Sequence, residues 1–288
     1  MNTFKKSWLL VKETCAIIKK DTGVVGYGAL TFFISLFVFA FIGLTGYLTN
    51  QIVPTGSGTV TPIGMVMIVL ALFLVSIVGV FYSVATAHVV LMRLKGENPV
   101  FADGVQVAMQ RRVQIIGFGI IAATVGLILR AIERLTRNLD GIPGFILSLV
   151  INATLAALWS ISSFFVYPLI AEKGTDGIQS LKQSSALFNK TWGEQVIVGI
   201  GFGLFSFGLT VLALTPVFTT LFLDLGVAFG ITALIVSVVL VTLVQLFFSI
   251  AQTVFQTSLY YYATTGKQPA GYSTTIVESA VISANKPA

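Results

Sequence analysis

Histidine and cysteine are almost missing from this chain of 288 residues, where His88 and Cys15 are the sole examples of each. One cysteine excludes an intrachain disulfide and any Cys-based zinc cluster, and a single histidine leaves too few ligands for the usual metal sites. No cofactor is therefore expected. Charge is scarce too, at 10% of residues against roughly 25% in soluble domains. A water-soluble protein of this length could not cover its surface with so few charges. Nucleophilic catalysis finds no GxSxG elbow, and the lone histidine cannot be placed beside any particular serine. Gly199, Gly201 and Gly203 mimic a nucleotide loop, but they sit inside an apolar run, where close helix approach explains them. The net charge of +6 is spread over short connections, with no aromatic-interleaved basic stripe, which speaks against nucleic acid. No small-residue cleavage site follows a short apolar core at the amino terminus, so the first apolar run is expected to be retained.

What is abundant is apolar side chain, at 56% of residues, gathered into runs long enough to cross a hydrocarbon core. Six spans follow: Val24 to Leu48, Pro62 to Leu94, Val113 to Leu135, Pro143 to Ala171, Gln195 to Leu223 and Gly226 to Tyr262. Arg130, Arg134 and Arg137 lie on one side of these crossings, and the remaining members of the 17 Lys and Arg lie on the other. Cytoplasmic connections retain positive charge during insertion, so the crowded side, with both termini, is assigned to the cytoplasm. The expected fold is an all-α polytopic bundle of six helices over residues 1–266, followed by a polar cytoplasmic tail over 267–288.

Each odd-numbered span is preceded by a short stretch of mixed apolar and charged residues at helical spacing. In the first, Trp8, Val11, Cys15 and Ile18 share a face flanked by Lys5, Lys12 and Lys19, a basic amphipathic pattern suited to the headgroup region. The second runs from Asp103 to Arg112 and the third from Asp176 to Trp192, with both aspartates expected as helix-starting caps. Each even-numbered span runs into a glycine expected to stop it, Gly96, Gly174 or Gly266. Three units result, each a surface helix followed by a membrane hairpin.

The sharpest polar feature is on the sixth span, where Gln245, Ser249, Gln252 and Gln256 align on one helix face. Amides in hydrocarbon need partners, so the stripe either glues helices together or lines a watery or ligand-filled cavity. Ser76, Ser83 and Thr86 on the second span, with Asn152, Ser160, Ser163 and Tyr167 on the fourth, are candidates to face the same interior. His88, near the cytoplasmic end of the second span, is expected to have no acidic partner within a membrane span, and packing or an interfacial position accounts for it better than a proton relay. Arg130, Arg134 and Arg137, with Glu133 at helix-neighbour spacing, form either a solvated helix extension or an anion or headgroup contact. Tyr260, Tyr261 and Tyr262, with Trp8 and Trp192, suit an aromatic anchoring belt.

Three stretches, SWLLVKETCAIIKKD, RLKGENPVFADGVQVAMQRRVQIIGFG and VYPLIAEKGTDGIQSLKQSSALFNKTWGE, carry a resemblance to a family of uncharacterised prokaryotic six-helix membrane proteins. The organisation is also similar to the membrane domain of some glycerophosphodiester phosphodiesterases. The resemblance reaches to about Gly266 and implies a helical bundle with cytoplasmic surface helices, without an established activity. The phosphodiesterases' soluble catalytic domain has no counterpart in these residues, so no lipid-cleaving activity is carried over. The expectation is a non-enzymatic scaffold or accessory subunit of the plasma membrane, in contact with membrane lipids and with a protein partner or a second copy. The alternative is a carrier or channel-like protein for a small or lipid-like solute, using the polar face of the sixth span.

Overall fold

The structure, a computed structural model, describes residues 14, 18, 22–52, 60–136, 141–192, 197–223 and 226–269. Every regular element among the described residues is an α-helix. Five helices are long and apolar enough to cross a membrane: Gly23–Leu48, Pro62–Leu94, Arg112–Thr136, Gly144–Lys173 and Thr232–Thr265. Large apolar side chains point outward along them, with Phe37 69% and Phe145 68% exposed. Water would oppose such a surface; hydrocarbon does not. The first surface helix proposed from the sequence, around Trp8 to Ile18, and the tail beyond residue 269 lie outside the described residues, Thr14 and Ile18 apart.

The chain divides into two compact units, residues 29–188 and residues 1–28 with 189–288. Helix α1 (Thr22–Leu48) enters the first of these. Helix α2 (Pro62–Leu94) starts on Thr61, whose hydroxyl accepts the Gly64 N–H at 3.0 Å, with Pro62 at the first helical position where no N–H is needed. It ends near Gly96, whose φ of 88° is left-handed. Helix α3 (Phe101–Gln110) follows, then Arg111 alone breaks the path into α4 (Arg112–Thr136). Asp103, expected to begin α3, is its third residue and lies in the first turn, where its carboxylate accepts the Val100 N–H at 2.7 Å. The extended Val100 already reverses the chain, so the helix starts earlier than the carboxylate.

Helices α2 and α4 cross in direct contact at Gly119. A Cβ there would lie 2.9 Å from the Ile77 Cα, and the Ser76 hydroxyl donates to the Gly119 carbonyl at 2.9 Å. A small residue thus admits a polar tie between backbones, the usual way helices associate in lipid. Farther along, α4 meets α5 (Gly141–Ser163) through Thr136, whose hydroxyl accepts from Ser148 at 2.8 Å and from the Asn152 amide at 3.0 Å.

The fourth span is not continuous as the sequence suggested. It turns at Phe164 and Phe165 before α6 (Val166–Lys173) resumes. Pro168 is the cause, because its ring excludes the carbonyl four residues back and it has no N–H to donate. Helix α6 closes on Gly174 at φ 62°, and Asp176 caps α7 (Gly177–Trp192) by accepting the Gln179 N–H at 2.8 Å, as its position in the sequence suggested. Helix α7 turns Ser180, Ser184 and Phe188 inward and Ile178, Lys182, Ala186 and Lys190 outward.

In the other unit, the fifth span also differs from its expected form: α8 (Ile197–Ala213) stops at Leu214, and α9 (Thr215–Leu223) continues beyond it. Pro216 deprives the Leu212 carbonyl of its helical donor, and the Thr215 hydroxyl replaces it at 2.7 Å. Helix α10 (Val227–Thr265) has 39 residues, about 58 Å of helix, nearly twice a hydrocarbon core of ~30 Å. It packs against α8 and α9 and ends on Gly266 at φ 68°. All three glycines marked as helix stops are therefore left-handed.

Candidate functional site

A cleft of about 290 Å³ opens where α2 and α6 end and α3 passes into α4. His88, Leu91, Met92 and Lys95 come from α2 and its end, Val107, Gln110 and Arg111 from the α3–α4 corner, and Glu172 from the last turn of α6. Leu91, Met92, Val107 and Ala171 give it an apolar floor, and Lys95, Glu97, Arg111 and Glu172 supply both signs of charge. Lys95 and Glu172 pair at 2.9 Å, which also sets the ends of the second and fourth spans on one side, as alternate crossings require. Both side chains are substantially exposed, so the pair is worth no more than about 1 kcal/mol and can exchange partners.

Arg111 is held differently. Its guanidinium lies directly over Gly174, where any side chain would collide with it. Its Nε is buried and meets no hydrogen-bond partner among the described residues. A buried donor without a partner costs about 1–3 kcal/mol, more when charged, so this atom is the most demanding in the cleft. Arg112, by contrast, is exposed.

The residues singled out from the sequence fall in both units, where each has its own surroundings. Ser83 hydrogen-bonds with Tyr167, whose ring stands edge-on to Phe118 at 6.1 Å. Ser163 bonds back to the Trp159 carbonyl at 2.8 Å, and Ser160 is exposed. On α10 the Gln245 amide donates to the Thr210 hydroxyl of α8 at 3.0 Å, a tie between helices within their unit. Ser249 and Gln252 are exposed, whereas Gln256 is buried in a turn with Thr253, Thr257 and Ser258. Arg130 and Arg134 are exposed along α4, and Arg137 lies outside the described residues. Gly199, Gly201 and Gly203 all fall within α8, not between a strand and a helix. Among the described residues, no three His, Cys, Asp or Glu side chains gather as a metal-binding group.

Sequence reasoning missed the cleft because it counted Lys95, Arg111 and Arg112 only as positive charge. The signal was present in another form. The two longer stretches that carry the family resemblance contain the cleft residues from Lys95 to Arg111 and from Ala171 to Glu172.

These apolar helices, their outward-facing phenylalanines and the charged cleft at their ends define a multi-pass helical membrane protein. Within that class, the chain belongs to a family of unknown function (DUF6159), which matches it over residues 62–270. No curated protein matches it.

Proposed function

We propose that the protein is a non-enzymatic scaffold or accessory subunit of the plasma membrane, with six crossings and both termini in the cytoplasm. In this reading the broken α8–α9 segment supplies the fifth crossing, and α3 and α7 are amphipathic helices on the cytoplasmic side. The observation that carries it is the division of α7. Ser180, Ser184 and Phe188 anchor the helix, leaving Ile178, Lys182, Ala186 and Lys190 as an outward basic and apolar face. Such a face suits contact with a membrane-associated protein bearing acidic groups.

A photo-crosslinking residue at Ile178, introduced in native membranes, tests this. A discrete heterologous adduct that disappears in the K182E/K190E variant is the expected result. The absence of any adduct, together with solute movement in proteoliposomes of the purified protein, would replace the scaffold with the carrier. Labelling of residue 95 or 182 from outside intact cells would reverse the sidedness.

A further inference from the structure

We infer that the cleft around Arg111 is a binding site for the headgroup of an aminophospholipid, a phosphate diester joined to a primary ammonium. Three observations converge. First, Arg111 lines the cleft with its guanidinium packed over Gly174, and its buried Nε has no hydrogen-bond partner among the described residues. A guanidinium at this position matches the geometry of a phosphate. Second, the cleft holds cations and carboxylates together, Lys95 and Arg111 with Glu97 and Glu172. A simple anion would leave the carboxylates opposed, whereas a headgroup carrying both charges meets both. The exposed Lys95–Glu172 pair gives up little when each partner turns to the ligand.

Third, the cleft lies where apolar helices stop, at the ends of α2 and α6 and the beginning of α4. That is the depth at which headgroups lie when the spans cross a bilayer. Its volume of about 290 Å³ is at the lower end for small-molecule pockets, roughly 300–1,000 Å³, and suits a headgroup without its acyl chains. The apolar floor of Leu91, Met92, Val107 and Ala171 faces the methylenes between phosphate and ammonium. This site is separate from Arg130 and Arg134, which lie at the opposite end of α4. It does not depend on the scaffold reading.

The test is native mass spectrometry of the full-length protein in detergent. Phosphatidylethanolamine, phosphatidylcholine and phosphatidylglycerol of identical acyl chains compete, and free glycerophosphoethanolamine is titrated separately. Phosphatidylethanolamine is expected to be retained about tenfold better than phosphatidylcholine, whose quaternary ammonium cannot donate hydrogen bonds to Glu97 or Glu172. Arg111→Gln should lower retention about tenfold, Arg112→Gln should leave it unchanged, and Glu97→Gln should narrow the gap between the two lipids. Lys95→Gln and Glu97→Gln, both at exposed positions, carry the test if Arg111→Gln does not fold. Equal retention of the two lipids, preference for phosphatidylglycerol, or equal loss in Arg111→Gln and Arg112→Gln would overturn the assignment. Tight binding of the free headgroup without retention of the lipid would overturn its membrane source.

Discussion

The Ser184 hydroxyl on α7 accepts the backbone N–H of Phe165 at 2.9 Å, at the break between α5 and α6. Both groups are buried. Helix α7 therefore completes the hydrogen bonding of an apolar helix that Pro168 interrupts, one way in which non-helical backbone becomes tolerable. Ser184→Ala should cost about 1–3 kcal/mol, the penalty of a buried N–H left bare. Thermal unfolding in detergent is the measurement, with Ser185→Ala as the neighbouring control. Equal midpoints for the two variants would show the bond to be dispensable.

At the second break the replacement donor is local. Thr215→Val removes the hydroxyl that serves the Leu212 carbonyl and should cost about 1 kcal/mol. Pro216→Ala restores a backbone donor to the same carbonyl. The double variant should therefore lose less than the sum of the single changes. Strict additivity in that cycle would mean that Thr215 acts elsewhere.

Glycine stops that look equivalent in sequence should respond unequally to substitution. Asparagine tolerates the left-handed conformation, so Gly96→Asn and Gly266→Asn, with open space around each, should change stability by less than about 1 kcal/mol. Gly174→Asn must also displace the Arg111 guanidinium, a flexible side-chain end, and its midpoint should fall modestly below the other two. Similar midpoints for all three would mean that Arg111 moves aside freely.

Gly119→Leu should separate α2 from α4, because the added side chain meets the Ile77 backbone and strains the Ser76 bond to the Gly119 carbonyl. Overpacking of this kind costs about 1–3 kcal/mol. Gly117→Leu is the control, having nothing within reach of its Cβ. Comparable losses in both would mean that the close approach at Gly119 is not what sets the cost.

The limits of the continuous spans were legible because hydrophobic length and capping chemistry are local properties. Pro62 and Leu94 stand where expected, and Asp176 and Gly174 are recognised by what their own backbones need. The breaks at Phe164 and Leu214 were missed although Pro168 and Pro216 are plain in the sequence. An apolar run reads as one crossing whether or not its hydrogen bonds are continuous, and the acceptor that closes the first break comes from another helix. Arg111 and Arg112 were indistinguishable for the same reason. What separates them is the bare surface of Gly174 on a later segment, which no local pattern encodes. The polar stripe on α10 was visible as a pattern, but its fates were not: Gln245 reaches Thr210, Gln252 is exposed and Gln256 is buried.

Gly28 of α1 lies so close to α10 that an added Cβ would press on Ile250. The unit they share is assembled from the two extremities of the polypeptide. During synthesis the opening turns of α1 must therefore wait, without this neighbour, until α10 has been made. A lesion in α10 should consequently be felt at the opening turns of α1, more than two hundred residues earlier in the chain.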